Sequence, residues 1–200
     1  MNPTLQGYAA AVLESVDAGQ LATVASELNQ IEQLVLATPA LRAALSDTAV
    51  TGPARRAVLR DLLDGKVTEP ARRLAAFAAG AVAAPDVLQA LAWVAHRAQR
   101  DADGVGEPEP PLSLTKARER VGGFAQALYE TMPTEELEGM EDSLFRFARI
   151  VESAPSLRTV LTDRDQPVPS RQGLVGQLLQ GKVTVATYAL VGYVVVGGRA

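Results

Sequence analysis

The 200-residue chain has no cysteine. That excludes disulfides, thiol nucleophiles, zinc–cysteine sites and iron–sulfur ligation, and it leaves no mark of an oxidising compartment. Histidine is nearly absent too: His96 stands alone, with Ala92 one helical turn before it, so no second ligand or acid–base partner is spaced beside it. Aromatic residues make up only 4% of the chain, with Trp93 the single tryptophan. Positive charge is short, at 19 Lys+Arg against 23 Asp+Glu, a net charge of −4 and a pI near 5.1. Such a field repels nucleic acid and anionic membrane. No apolar run reaches the ~18–20 residues that a bilayer span needs, and MNPTLQGYAA lacks the charged and apolar regions of a signal peptide. Direct membrane insertion is therefore not expected, and the default compartment is the cytoplasm.

What is present is Ala, Leu and a globular balance of 48% hydrophobic and 21% charged residues. Small and γ-branched side chains suit helices better than strands, so the fold class expected is all-α. The chain also repeats itself. At an offset of 116 residues, Gly7-Tyr8-Ala9 falls on Gly123-Phe124-Ala125, PALRAAL from Pro39 on PSLRTVL from Pro155, and LLDGKVT from Leu62 on LLQGKVT from Leu178. A repeat of that length is a duplicated domain, not a solenoid unit. DADGVGEPEPPLS, rich in Gly, Pro and acidic residues without apolar periodicity, reads as a linker. The organisation expected is two tandem helical bundles, copy one at 1–100, a linker at 101–113 and copy two at 114–200.

Each copy can be sketched in helices. A short Ala-rich helix covers Leu5 to Val16. Leu21, Val24, Leu28, Ile31 and Val35 form a stripe at steps of three and four, matched by Leu137, Met140, Leu144, Phe147 and Val151. Thr38-Pro39 reads as an N-cap and first helical residue. Pro53 and Pro169 open a further helix, closed by Gly65 and Gly181 as left-handed caps. LAAFAAGAVAA and YALVGYVVVG are apolar on all sides, which marks a central core helix. Pro85-Asp86 opens a last helix in copy one. Copy two stops at Ala200, so its last helix is missing.

Reactive chemistry is sparse. Gly176 to Lys182 has P-loop spacing, but Val183 stands where magnesium-binding Ser or Thr is needed, Leu178-Leu179 continue a helix, and copy one has Arg60 in place of Gly176. Nucleotide binding is rejected. Glu135, Glu136, Glu138, Glu141 and Asp142 suit a solvated helix start. Arg55, Arg56, Arg60, Arg72 and Arg73 form the densest basic patch, read as a solvated face, with an acidic partner surface as the functional alternative. Arg42 and Arg158 read as structural, their stems covering apolar surface, and Trp93 as core. Along the first helix, Tyr8 with its alanines, and Phe124 with Ala127 and Leu128, form a strip narrow enough for close helix approach. Packing inside the bundle and a groove for an incoming amphipathic helix both fit it.

The order of these motifs resembles the delta subunit of F-type ATP synthases, the oligomycin-sensitivity-conferring subunit family. The resemblance covers Gly7 to Arg100, that family's six-helix N-terminal domain, and copy two up to its last helix. It differs in doubling the domain and lacking the C-terminal part with strands. Doubling resembles actinobacterial-type synthases with delta fused behind a b-type stalk helix, which implies an excised segment here. The resemblance implies a non-catalytic stator without cofactor or metal, part of the complex at the cytoplasmic face of the bacterial plasma membrane. Its partners are alpha-subunit N-terminal helices and a b-type stalk helix, with no nucleic acid. The family groove lies between the first and fifth helices; carried over, Tyr8, Ala11, Val12, Val87 and Leu91 line it in copy one, and Phe124, Ala127 and Leu128 form one wall in copy two. The competing reading is a tandem helical nucleic-acid-binding or regulatory protein using the Arg55–Arg73 patch.

Overall fold

A computed structural model of the chain describes residues 2–105, 112–163 and 165–196. Among these there are eleven α-helices, one 3-10 turn and no strand. The chain divides into two compact units, Met1–Pro110 and Pro111–Ala200. The expected linker at 101–113 lies partly outside the described residues, and its first two residues continue the preceding helix. The expectation about Ala200 as a chain end also lies outside them.

Unit 1 contains α1 (Pro3–Glu14), α2 (Ala18–Ala37), α3 (Pro39–Ser46), α4 (Gly52–Leu63), α5 (Glu69–Ala81), a 3-10 turn (Ala84–Asp86) and α6 (Val87–Ala102). Helix α5 is the hub: it packs against α4, α6, α1 and α2, while α2 and α6 run along one another. Its sequence allows this, because Ala71, Leu74, Ala75, Ala76, Phe77, Ala78 and Ala79 are all buried and mostly too small to hold neighbours apart. The α2 stripe behaves as its spacing predicts, with Val24, Leu28, Ile31 and Val35 all buried.

Helix ends are fixed by specific polar groups. The Asn2 side-chain oxygen accepts from Leu5 N at 3.1 Å, while its amide donates to the Ala81 carbonyl at 2.8 Å, so one residue caps the start of α1 and ties it to the end of α5. The Glu27 carboxylate on α2 accepts from the Thr68 backbone N–H at 3.0 Å and from its hydroxyl. A negative group at the start of α5 also complements the helix dipole. Gly65 has φ +65°, the left-handed residue that ends the α4 segment. Thr38 has an extended N-cap backbone with Pro39 at the first turn, but its side chain makes no capping bond. Trp93 is only half-buried and not the core residue expected.

Unit 2 contains α7 (Leu114–Tyr129), α8 (Thr134–Ser153), α9 (Pro155–Thr162), α10 (Val168–Leu179) and α11 (Val185–Val196). Helices α8, α9 and α10 begin and end 116 residues after α2, α3 and α4, and α11 begins 116 after α5. Gly181, with φ +73°, repeats the left-handed cap of Gly65. Position 143 carries Ser where α2 has Glu27, and here Thr184 caps its own helix by accepting from Thr187 N at 3.2 Å. Leu161, Val175, Leu179, Val191 and Val195 form the core cluster.

The α4–α5 crossing in unit 1 depends on two glycines. A Cβ on Gly52 would collide with the Gly80 carbonyl oxygen, and one on Gly80 would sit 3.0 Å from the Arg56 Cβ. Neither obstacle can swing away, because one is backbone and the other is a first side-chain carbon. Gly52→Ala is therefore expected to destabilise the chain by about 1–3 kcal/mol through overpacking. Gly19→Ala, which meets nothing within 4 Å, should be neutral or stabilising by up to about 1 kcal/mol. Urea denaturation of the two variants checks the contrast.

Candidate functional site

The expected partner strip on α1 is closed. Tyr8, Ala11 and Val12 are 0%, 4% and 1% exposed. The Tyr8 ring stacks on Phe77 of α5, centroids 3.7 Å apart and planes 4° from parallel. Arg56 lies over Phe77 at 5.1 Å and Arg73 over Tyr8 at 5.6 Å, so each ring also carries a guanidinium. Such contacts add about 0.5–1.5 kcal/mol each beyond area burial. In unit 2, Phe124 stacks on Tyr193 at 4.0 Å, with Arg120 over Tyr193 at 5.7 Å. Phe124 and Ala127 are buried, and of the eight residues singled out only Leu128 is half-exposed.

Val87 and Leu91 are buried as well, but they sit on α6 and not on the fifth helix. The chain leaves α5 at Ala81 because Val82 and Ala83 are extended, and Pro85 then starts a separate 3-10 turn. On the fifth helix, Phe77 stacks on Tyr8 of α1 and Arg73 lies over the Tyr8 ring. The signal of the ring pair was available in sequence: Phe77 and Tyr193 are both aromatic and stand 116 residues apart, as Tyr8 and Phe124 do.

The basic patch dissolves into separate tasks. Arg55 is 5% exposed, neither a solvated residue nor a partner contact. Its Nε donates to the Ala79 carbonyl at 3.0 Å, one Nη to Val82 at 2.7 Å and the other to the Val50 carbonyl. Two of those carbonyls lie at the C-terminal end of α5, where the helix leaves acceptors unpaired and the dipole favours a cation. Arg72 pairs with Glu69 at 2.6 Å and Asp64 at 3.2 Å. The Glu69 hydrogen bond is the main cause of its raised pKa, so it stays charged throughout. Arg60 pairs with Asp61 at the surface. Of these five positions only the first keeps its arginine in unit 2: Arg171 is 4% exposed and donates to the Val195 carbonyl at 2.7 Å.

The other candidates fall out simply. His96 is exposed. Leu178-Leu179 and Gly176 lie within α10, as a helix and not a phosphate loop requires. Glu135 and Glu136 occupy the first turn of α8, and Asp142 pairs with Arg146. Arg42 reaches back to the Leu36 carbonyl at 3.4 Å from an exposed position. No group of His, Cys, Asp or Glu among the described residues could hold a metal ion, and no helix among them is long and apolar enough to cross a membrane.

The arrangement defines an all-helical packing protein whose charges serve helix ends and ring faces. Residues 5–80 match the family model described as ATP synthase delta (OSCP) subunit. The chain is 30% identical over 177 residues to "ATP synthase subunit delta" of Kineococcus radiotolerans, covering 88% of this chain and 54% of that protein. It is 32% identical over 181 residues to its namesake in Salinispora arenicola, 90% of this chain and 57% of the relative. For Acidothermus cellulolyticus the identity is 36% over 169 residues, 84% and 52%. The chain is similar to ATP synthase delta (OSCP) subunits, and it spans about half the length of the curated relatives it matches.

Arg55→Met should cost about 2–4 kcal/mol, because a side chain of similar length leaves three carbonyls without their cationic donor. Lysine should not rescue it, since a single ammonium lacks the guanidinium's planar fork. Arg171→Met should cost less, because Arg171 Nε already lacks a hydrogen-bond partner among the described residues. Arg60→Ala, at a side chain 57% exposed, should stay within about 0.5 kcal/mol. Chemical denaturation followed by circular dichroism reads all four variants.

Proposed function

We propose that this chain is a non-catalytic part of the peripheral stalk of an F-type ATP synthase, joining the stalk to the catalytic head at the cytoplasmic face of the bacterial plasma membrane and so supporting proton-driven ATP synthesis. The observation that carries this is the match to ATP synthase delta subunits along 84–90% of the chain. The helical architecture is in keeping with it: a stator resists torque, and both units are built from helices locked end to end by buried arginine. The two units are read as copies of one domain, 1–100 and 114–200, joined by 101–113. Coincident helix limits at a single offset support that.

The partners in this reading are alpha-subunit N-terminal helices and a b-type stalk helix. The seat for the alpha helix is built around Tyr8, Ala11, Val12, Val87 and Leu91, with Phe124, Ala127 and Leu128 in the second copy. Since all but Leu128 are closed in the chain, they act as the floor of the seat, and docking there requires that the strip be uncovered. The cost of opening lowers the apparent affinity. A synthetic alpha-subunit amino-terminal peptide, titrated by calorimetry, is expected to bind saturably near one per chain with Kd on the order of micromolar. A folded, helical sample that neither binds the peptide nor retains alpha and b subunits in a pull-down overturns the reading. Duplex DNA at low salt should give no binding, since the arginines of the 55–73 patch are engaged at helix ends, ring faces and ion pairs.

A further inference from the structure

The α4–α5 hairpin of unit 1 is charged in both signs. Along α4 and its C-cap stand Arg56, Arg60, Asp61 and Asp64; at the offset of 116, the α10 segment has Gln172, Gly176, Gln177 and Gln180. At the start of α5 stand Glu69, Arg72 and Arg73, where α11 has Val185, Tyr188 and Ala189. All seven charges, four positive and three negative, thus have uncharged counterparts. The two cations that unit 2 does carry in this stretch both serve helix ends. Arg171 donates to the Val195 carbonyl at 2.7 Å, and Lys182 to the Leu178 carbonyl at 3.1 Å, as Lys66 does to that of Leu62 at 2.7 Å.

The uncharged positions share one face. On α10 they recur at steps of four, one and three, and on α11 at steps of three and one, the spacing of a single helical stripe. The two stripes meet where a Cβ on Gly176 would lie 3.6 Å from the Tyr188 hydroxyl. Val185 is 86% and Tyr188 36% exposed, with Gln172, Gln177 and Gln180 exposed as well. A Cβ on Gly173 would meet nothing within 4 Å, so that position is a notch in the α10 surface. Unit 2 is not short of charge elsewhere: α8 carries eight charged residues where α2 carries two. Neutrality is no advantage to a solvated face, whereas a desolvated one requires it unless each charge is paired. Interface cores are likewise depleted of charge and enriched in tyrosine.

We infer that the α10–α11 face is an interaction surface whose occupant is a helix of a partner protein, presenting an uncharged stripe of small and apolar residues. Neutrality selects that chemistry, because an acidic or basic partner surface would be desolvated there without a counter-charge. The geometry selects a helix. The face is a pair of packed helices without a strand edge among the described residues, and the notch at Gly173 lets a neighbouring backbone approach closely. Gln172, Gln177 and Gln180 supply hydrogen-bonding amides around the apolar Val185 and Tyr188. The inference rests on the reading of the chain as part of a larger complex, and its surface uses no residue of α8 or of the strip around Phe124.

The chain has no cysteine, so single cysteines report on each face. Val185→Cys in unit 2 and Glu69→Cys, its counterpart in unit 1, are labelled with a maleimide in the isolated chain and in the purified ATP synthase complex, each adduct being read by peptide mass spectrometry. Val185→Cys should react at least tenfold more slowly in the complex, and Glu69→Cys equally fast in both. Gln177→Cys is the second probe should Val185→Cys fail to enter the complex. A photo-crosslinker on Gln177→Cys should join an uncharged helical segment, and a crosslink to a charged surface overturns the occupant named. Rapid labelling of the unit 2 probes in a complex that retains the chain overturns the inference and leaves the stalk reading standing; a chain absent from the complex overturns both. Protection already present in the isolated chain overturns the inference in favour of cover by the chain itself, or by a second copy where protection grows with concentration. V185E/Y188R gives unit 2 the Glu–Arg pair that unit 1 already holds at 2.6 Å. The fold should therefore persist by circular dichroism while protection of Gln177→Cys falls at least tenfold, and unchanged protection overturns the inference.

Discussion

A buried guanidinium on the fourth helix, holding carbonyls at the end of the fifth, is the constraint on which each unit turns. Helix α5 is central, so its C-terminal acceptors cannot all turn to water, and left unpaired they would each cost about 1–3 kcal/mol. Arg55 supplies three donors at once, and its positive charge sits where the helix dipole is negative. Around that fixed point the remaining contacts arrange themselves. Gly52 and Gly80 permit the close approach of α4 to α5, Asn2 ties the start of α1 to Ala81, and the Tyr8–Phe77 stack presses α1 onto the middle of the same helix. Glu27 completes the set at the opposite end of α5.

Unit 2 keeps the essential part of this design and loosens the rest. Arg171 still reaches a carbonyl at the end of α11, and the aromatic pair recurs as Phe124 and Tyr193. The glycine crossing is gone, with Val168 and Val196 at those positions, and Glu27 has become Ser143. Two β-branched residues cannot approach as two glycines do, and α10 meets α11 less extensively than α4 meets α5. What two diverged sequences retain in common is the cation at the helix end and the ring stack, the contacts least replaceable by generic apolar packing.

This explains what could be read without a structure and what could not. Helix order was legible because it rests on local rules: the α2 and α8 stripes, the prolines in the first turns, and Gly65 and Gly181 as left-handed caps; the limits were less so, since α1 is Pro3–Glu14 where Leu5 to Val16 was expected and α5 begins at Glu69, before its apolar run at Leu74. Arg55 was misread because burial of a charge is decided by acceptors on another helix, and in sequence it is one of five neighbouring arginines. Its retention as Arg171, while Arg56, Arg60, Arg72 and Arg73 became Gln172, Gly176, Tyr188 and Ala189, was the available clue. Val87 and Leu91 were carried over from the resemblance to a groove between the first and fifth helices, although Pro85-Asp86 already marked the start of the separate helix that bears them. The strip of alanines around Tyr8 read equally as groove or packing, because small residues serve both and only the presence of a covering neighbour separates them.

Coverage is also what separates the two units energetically. Leu28, Ile31 and Val35 owe their burial to a helix laid over them, and the same stripe on α8, without one, leaves Leu144, Phe147 and Val151 partly in water. At about 25 cal/mol per Å², three large side chains left half-open forfeit a few kcal/mol, a sizeable share of the ~5–15 kcal/mol that holds a domain together. The retained arginine and ring stack join α10 to α11 and α7 to α11, and neither includes a residue of α8. Among the described residues, unit 2 is therefore ordered by its latch, with the α8 stripe less deeply buried than its α2 counterpart.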